Sequence, residues 1–300
     1  MKRKNAIVYK KKEVRTAWLM MLPALIVLSV IAVYPIIRTF WLSFHEMNLK
    51  RPQTGFPLIG LGNYAKILTD ARAGTDILFT LRFTVVTVVL EMVIGFAAAL
   101  IMNRAFKGRG LVRAAILVPW AIPTSVSAMM WKFIYNDQYG MFNDILYRLH
   151  IIKAYKAWLS TSSGSFMALV ITDVWKTAPY MALLILAGLQ MIPGELYESA
   201  KLDGANAVQR FTNVTLPLAK RSLLVALLFR TLDAFRVFDL VSVLTGGANG
   251  TESIAVYAYK QIMTFLDFGY GSALAVLIFL IVFAISAVYM FFLNRELVSE

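Results

Sequence analysis

The sequence contains no cysteine and little charge. The absence of cysteine from 300 residues excludes structural disulfides and cysteine-ligated metal centres. Charged residues make up only 16% of the chain, below the roughly 25% of soluble globular proteins. Apolar residues reach 59%, and the mean hydropathy is +0.67. These values are typical of a membrane protein and argue against an ordinary soluble domain.

Motifs for ATP binding and hydrolytic catalysis are also missing. The sequence has no G-x-x-x-x-G-K-[ST] phosphate loop and no Gly-Lys pair anywhere. It has neither His-Glu-x-x-His nor Gly-x-Ser-x-Gly. We therefore predict that the chain is not an enzyme and holds no metal or cofactor of its own.

Six apolar runs are near or above the roughly 20 residues that a helix needs to cross a bilayer. We place these runs at about 17–37, 83–102, 114–134, 166–190, 222–245 and 272–293. They predict an all-α membrane protein with six transmembrane helices. No soluble domain interrupts them, so we expect residues 1–300 to form a single transmembrane domain.

The distribution of lysine and arginine predicts the orientation in the membrane. The segments 1–16, 103–113, 191–221 and 294–300 hold sixteen basic residues in 65 positions, against ten in the 102 positions on the opposite side. Basic residues concentrate on the cytoplasmic side, so we expect both termini and the loop 191–221 to be cytoplasmic. The net charge of +13 is then explained by this bias and by anionic lipid, without nucleic acid.

The loop 191–221 has the sequence signals of two short helices. Pro193 suits a first helical turn, and Gly204 is placed to end that helix in a left-handed conformation. Asn206 and Gln209 are spaced as the cap of a second helix, and Pro217 suits the start of the next span. A polar pair of helices between two spans could be an ordinary connection, but its composition favours a docking element for another protein.

The same loop carries a spaced motif: Glu-Ser-Ala, three residues, Gly, nine residues, Val, one residue, Leu-Pro. This motif resembles the E-A-A loop of the membrane subunits of ATP-binding-cassette importers, which docks onto the ATPase subunit. Ser199 stands where those subunits usually have alanine. The resemblance implies that the ATPase-coupling residues are Glu198, Ser199, Ala200, Asp203, Gly204, Leu216 and Pro217.

Further stretches are similar to the sugar-importing branch of these permeases, of the first-permease type. They are 56–64, 118–123, Trp131 with Gly140 and Asn143, Trp175 with Pro179 and Tyr180, and 238–240 leading to the run 244–247, where Ala248 follows instead of the frequent proline. The resemblance implies half of the translocation pathway of a carbohydrate importer in a bacterial or archaeal plasma membrane. The implied partners are a second permease subunit, two ATPase subunits that bind ATP and Mg, and an extracytoplasmic sugar-binding protein.

Several ionisable residues fall inside the predicted spans, where they are costly and often functional. They are Glu91, Asp173, Lys176, Arg230, Asp233, Arg236 and Asp239. The last four recur every third residue, so neighbours can pair along a helix. We expect Glu91 to be the structural partner of an otherwise unmatched base.

In relatives whose sugar site lies in this kind of subunit, the lining comes from the fourth and fifth spans. The resemblance therefore implies substrate contacts from Lys176, Thr177, Tyr180, Arg230, Asp233, Ala234 and Val237. This set combines an aromatic surface with charged groups suited to hydroxyls.

The residues leave other functions open. A proton-coupled secondary carrier could use Glu91, Asp233 and Asp239 as proton sites, but it would leave the loop 191–221 unexplained. Lys176 and Arg230 are also compatible with a permease for an anionic sugar or a polyol phosphate. A membrane scaffold would explain the loop but not the buried charges.

Overall fold

The computed structural model describes residues 2–51 and 55–298, and their regular structure is helical apart from two isolated bridges. The α-helices are α1 (Lys2–Leu28), α2 (Tyr34–Ser43), α3 (Gly62–Thr69), α4 (Ala71–Asn103), α5 (Arg109–Ala121), α6 (Thr124–Ile134), α7 (Met141–Arg148), α8 (Ser162–Leu189), α9 (Gly194–Leu202), α10 (Ala207–Arg210), α11 (Leu216–Phe235), α12 (Asp239–Leu244), α13 (Ile254–Met263) and α14 (Phe268–Val298). Short π-helical turns, Ser29–Val33 and Phe211–Thr215, join α1 to α2 and α10 to α11.

Five helical stretches within the described residues are long and apolar enough to cross a membrane. They are Glu13–Ser43, Ala71–Asn103, Ser162–Leu189, Ala207–Phe235 and Phe268–Asn294. The bent pair α5 and α6 makes a sixth if it counts as one span. The all-α class is therefore confirmed, with five or six candidate spans.

The predicted span over 114–134 is bent in the structure. Helix α5 ends at Ala121 and α6 begins at Thr124, and the two helices meet at an angle of 92°. Pro123 explains the bend, because proline has no N–H to donate and disfavours a helical conformation at the residue before it. Ile122 accordingly has an extended backbone, with φ −77° and ψ 134°.

The predicted fifth span, 222–245, is also interrupted. Helix α11 ends at Phe235, and the separate helix α12 begins at Asp239 after a break in which Phe238 has φ −131° and ψ −64°. The break frees backbone carbonyls, and the hydroxyl of Ser253 donates to the carbonyl of Val237 over 2.7 Å. Hydrogen bonds of this kind allow non-helical backbone inside a membrane, provided that the backbone lines a cavity. Arg236 and Asp239 thus lie outside the fifth long helix.

The fold divides into two compact units. The first contains the described residues up to Lys66 together with Gln261–Val276, and the second contains Ile67–Lys260 and the chain from Leu277 onward. In the first unit the Asn63 amide donates to the carbonyl oxygens of Ser43 and His45 over 2.9 and 3.0 Å. The single domain over 1–300 stays a prediction.

Helices α4, α8 and α11 pack together at the centre of the second unit. Small residues allow their backbones to approach closely: a Cβ added to Gly95 of α4 would lie 2.9 Å from the side chain of Met181 in α8. A Cβ added to Gly188 of α8 would overlap the side chain of Ser222 in α11. Close approach at small residues is a common basis of helix packing in membranes, and here it brings polar side chains of three helices together.

Candidate functional site

A cavity of about 460 Å³ opens beside the central helices of the second unit. Its walls come from α5, α6, α8, α11, α12 and the break before α12. All seven residues assigned to the substrate by resemblance lie in this lining: Lys176, Thr177, Tyr180, Arg230, Asp233, Ala234 and Val237. The structure therefore brings the whole predicted set to one place.

Arg230 is the centre of the polar network at the cavity wall. Its Nε and Nη2 both donate to the carboxylate of Glu91 on α4, the second over 3.0 Å. Nη2 also donates to Asp173 on α8, and Nη1 donates to Asp233 over 3.0 Å. The Arg230 and Glu91 side chains are only 2% and 0% exposed. Such charge-assisted pairs hold the guanidinium in one orientation.

Two other charged groups of the lining, Asp233 and Lys176, keep hydrogen-bonding capacity for a ligand. The Asp233 side chain is 67% exposed although one of its oxygens accepts from Arg230. Lys176 is buried at 8% exposure and lines the cavity. We find no ion pair or hydrogen bond of its ammonium group within the part of the chain that the structure describes. Asp233 can accept from a ligand hydroxyl, and Lys176 can donate to a ligand oxygen.

Aromatic rings form another part of the wall. The rings of Trp120 from α5 and Tyr180 from α8 stack with their centroids 5.4 Å apart and their planes inclined by 16°. Phe229 and Phe238 also line the cavity. The site therefore combines flat apolar surfaces with fixed charges, which suits a ligand that has both polar edges and apolar faces.

The prediction that Glu91 partners an unmatched base is confirmed, and so is the i,i+3 pair of Arg230 with Asp233. The other neighbours in this i,i+3 series, Arg236 and Asp239, form no ion pair among the described residues. Arg236 instead donates from Nε to the carbonyl of Leu232 over 3.1 Å. Trp120 was missed as a lining residue, although its place in the proline-flanked stretch 118–123 was a usable signal.

The loop between α8 and α11 has the predicted turn chemistry. Gly204 follows α9 with φ +80°, in the left-handed region. The N–H groups of Gly204 and Ala205 donate to the carbonyls of Lys201 and Ala200 over 3.0 and 2.9 Å, which is a Schellman motif. Asn206 and Gln209 form a reciprocal capping box with distances of 2.8 and 2.9 Å. The two short helices therefore meet at a defined angle.

Two contacts tie this loop to the long helices. Phe211 packs edge-on against Phe96 of α4, with the ring centroids 5.5 Å apart. The hydroxyls of Tyr197 and Thr215 lie 3.1 Å apart and connect α9 to the start of α11. The outer surface of the loop stays apolar in places, since Leu202 is 89% exposed. Among the predicted coupling residues, Glu198, Ser199, Asp203, Gly204, Leu216 and Pro217 are exposed, and Ala200 is half-buried.

The described residues thus form a bundle of apolar helices with a polar cavity and an exposed helical loop, an arrangement that suits a membrane transport subunit. Residues 91–297 match the family described as "Binding-protein-dependent transport system inner membrane component". The chain belongs to this family. It is a multi-pass membrane permease subunit and not itself an enzyme.

Curated relatives place the chain among permeases of sugar importers. It is 44% identical over 283 residues to the trehalose/maltose transport system permease protein MalF of Thermococcus litoralis, covering 94% of each chain. It is 42% identical over 268 residues to the trehalose transport system permease protein SugA of Mycobacterium tuberculosis, covering 89% of this chain and 85% of the relative.

Another relative, 39% identical over 278 residues, is the sulfoquinovosyl glycerol transport system permease protein SmoG of Agrobacterium fabrum, with 91% of this chain and 89% of the relative covered. The fold matches a solved bacterial ABC transporter involved in import of the acidic polysaccharide alginate. That match has a TM-score of 0.82 and 21% identity, covering 96% of this chain and 99% of the other.

Proposed function

We propose that this chain forms one half of the pathway of an ATP-driven importer for a neutral disaccharide, of the kind that the trehalose and maltose relatives carry. The observation that carries the proposal is the cavity of about 460 Å³, whose lining includes both the stacked rings of Trp120 and Tyr180 and the exposed carboxylate of Asp233. Sugar rings present apolar faces to aromatic side chains and hydroxyls to charged groups. This lining offers both.

Charge in the lining favours a neutral sugar over an anionic one. Three acidic side chains, Asp173, Asp233 and Asp239, are balanced by three basic ones, Lys176, Arg230 and Arg236. Glu91 adds a further acid behind Arg230. Because the basic groups are not in excess, the cavity has no net positive charge to offset that of a carboxylate, sulfonate or phosphate.

The roles of the predicted residues then differ. The donors of Arg230 face three carboxylates and its side chain is buried, so it holds the wall together. Asp233, Lys176 and Tyr180 make the direct polar contacts to the sugar, with Thr177 held against Glu91. Ala234 and Val237 supply the apolar parts of the surface.

The exposed loop is proposed as the ATPase coupling element on the cytoplasmic side, with Glu198, Ser199, Ala200, Asp203, Gly204, Leu216 and Pro217 at the contact. A movement of this loop would be transmitted to α11, which continues from it, and to α4 through Phe211 and Phe96. These are the helices that carry Arg230 and Glu91. ATP-driven motion thus reaches the cavity through packed side chains.

The proposed assembly contains a second permease, two ATPase subunits that bind ATP and Mg, and an extracytoplasmic binding protein that delivers the sugar. We would reconstitute this complex in proteoliposomes and measure uptake of labelled trehalose and maltose. Uptake should require the binding protein and ATP. Transport by this chain alone under a proton gradient would instead establish a secondary carrier, and uptake of only sulfonated or phosphorylated sugars would overturn the neutral-substrate assignment.

The aromatic wall has its own test. Trp120→Leu removes the ring that stacks on Tyr180, and we expect the sugar concentration for half-maximal uptake to rise by up to about tenfold, as ring contacts are worth roughly 0.5–1.5 kcal/mol. Trp18→Leu is the matched control, since Trp18 is an exposed residue of the first span and does not line the cavity. Equal effects of both changes would refute a specific role of Trp120.

A further inference from the structure

A second polar cavity, separate from the substrate cavity, lies where α4 ends against the loop. It has a volume of about 280 Å³ and is lined by residues of the α4 end, α9, α10 and the turn after α10. Two arginines, Arg104 and Arg210, belong to this lining, and no acidic side chain does. We call it the basic cavity.

The basic cavity lies at the expected boundary of the bilayer. The chain from Met92 to Asn103 contains no charged residue, and Arg104 is the first charge after it. Helix α4 ends at Asn103. A charged residue directly after a long apolar helix marks the level of the lipid headgroups. The two arginines therefore face the depth at which phosphate groups are found.

The lining is amphipathic in a way that matches a phospholipid. Leu100 and Phe211 supply apolar surface to the lining, and Arg104 and Arg210 supply basic groups. Guanidinium groups bind phosphate oxygens in bidentate geometry. A free phosphate ion would use only the basic groups, but a lipid headgroup with its glycerol and acyl chain would use the basic groups and the apolar surface.

One of the arginines is free to take such a ligand. We find no hydrogen bond or ion pair of the Arg104 side chain in residues 2–51 and 55–298. Arg210 uses Nη1 to donate to the carbonyl of Ala205, which holds its guanidinium in the cavity wall. A phosphate placed between the two arginines would bridge the end of α4 and the loop.

We propose that the basic cavity binds the phosphate of an anionic phospholipid and that this lipid strengthens the connection between the loop and α4. The proposal rests on the cytoplasmic coupling role proposed above. Anionic lipid would then raise the amount of sugar moved for each ATP hydrolysed. Basic cavities between membrane helices at the cytoplasmic surface are known to suit anionic headgroups.

The test uses the full transport complex in nanodiscs of phosphatidylcholine with or without phosphatidylglycerol. Lipid retained by the complex is measured by native mass spectrometry, and coupling is measured in matching proteoliposomes as sugar uptake per ATP. We expect Arg104→Gln to reduce retained phosphatidylglycerol by about fivefold and to remove most of the gain in coupling from that lipid. Arg210→Gln should act in the same direction, but it also loses the bond to Ala205.

The matched control is Lys107→Gln with Arg109→Gln, because both residues are exposed basic residues near Arg104 and neither lines the basic cavity. This control removes more charge than Arg104→Gln but should leave lipid retention and coupling unchanged. Equal losses in both variants would show general surface attraction and overturn the proposal.

Two further outcomes are decisive. Restoration of coupling by inorganic phosphate in pure phosphatidylcholine would identify a soluble ligand and overturn the assignment to lipid. Selective loss of retained lipid in Arg104→Gln without any change in coupling would keep the site and overturn its role in coupling. Because lipid retention is measured without sugar, failure of the sugar assignment would not be mistaken for failure of the lipid site.

Discussion

Arg230 of α11 and Glu91 of α4 form a buried, two-point ion pair across 139 positions of the chain. The carboxylate also lies next to the hydroxyl of Thr177 on α8. Three helices are thus joined at one acid, at a depth where an unmatched charge is costly. Arg230 lines the proposed sugar cavity, so a side chain that joins the helices of the bundle also shapes the site.

We expect Glu91→Gln to destabilise the protein by about 3 kcal/mol, because two donors of the buried Arg230 guanidinium lose their ionised acceptor, although Arg230 keeps Asp173 and Asp233. Thermal unfolding of the purified complex would measure the change. Thr177→Val is the matched control, since it removes only a hydroxyl from the same acid and should cost about 1 kcal/mol. An unchanged melting temperature for Glu91→Gln would contradict the structural role of this pair.

Asp233→Asn should impair sugar transport without impairing assembly of the complex. Arg230 keeps Glu91 and Asp173 after this change, so the complex should still assemble and hydrolyse ATP. Sugar uptake should fall about tenfold or more, because a hydrogen bond to a charged group is worth roughly 1.5–3 kcal/mol.

The control for Asp233 is Asp137→Asn, an exposed change outside the cavity lining, which should leave uptake normal. Normal uptake by Asp233→Asn would remove this residue from the substrate site. Loss of assembly would identify it as a structural partner of Arg230 instead.

Gly204→Val should disrupt the coupling loop. A β-branched residue at φ +80° is strained, at a cost of about 1–2 kcal/mol for the left-handed conformation, and the turn between α9 and α10 would change. We expect loss of the ATPase subunits on purification. Gly204→Asn should retain them, since asparagine tolerates the left-handed region. Equal ATPase retention in both variants would rule out a requirement for this turn.

Gly188→Ala should push α8 away from α11, because its Cβ would overlap the side chain of Ser222. Overpacking of this kind costs roughly 1–3 kcal/mol. The second change Ser222→Gly should restore most of the lost stability by making room for the added methyl group. A melting temperature that stays equally low in the double variant would show that the close approach of these helices is not the cause.

Signals that depend only on residues close together in the chain predict the turns of the loop and the long apolar helices. The Schellman turn at Gly204 and the cap formed by Asn206 and Gln209 depend on neighbours within a few positions, so their sequence signals were sufficient. The long apolar runs similarly located the spans, because hydropathy is a local property. The bend before Pro123 is also a local effect, because proline restricts the backbone of the residue that precedes it.

Sequence by itself thus determined the membrane class, the approximate spans and the local shape of the loop between α8 and α11. Only the tertiary structure decided which acid meets Arg230, that Trp120 stacks on Tyr180, and that the fifth helix stops before Arg236. These features depend on how closely α4, α8 and α11 approach one another, which is set by contacts at Gly95 and Gly188 with distant residues. Side-chain pairing across helices follows from that packing, and no short stretch of sequence contains it.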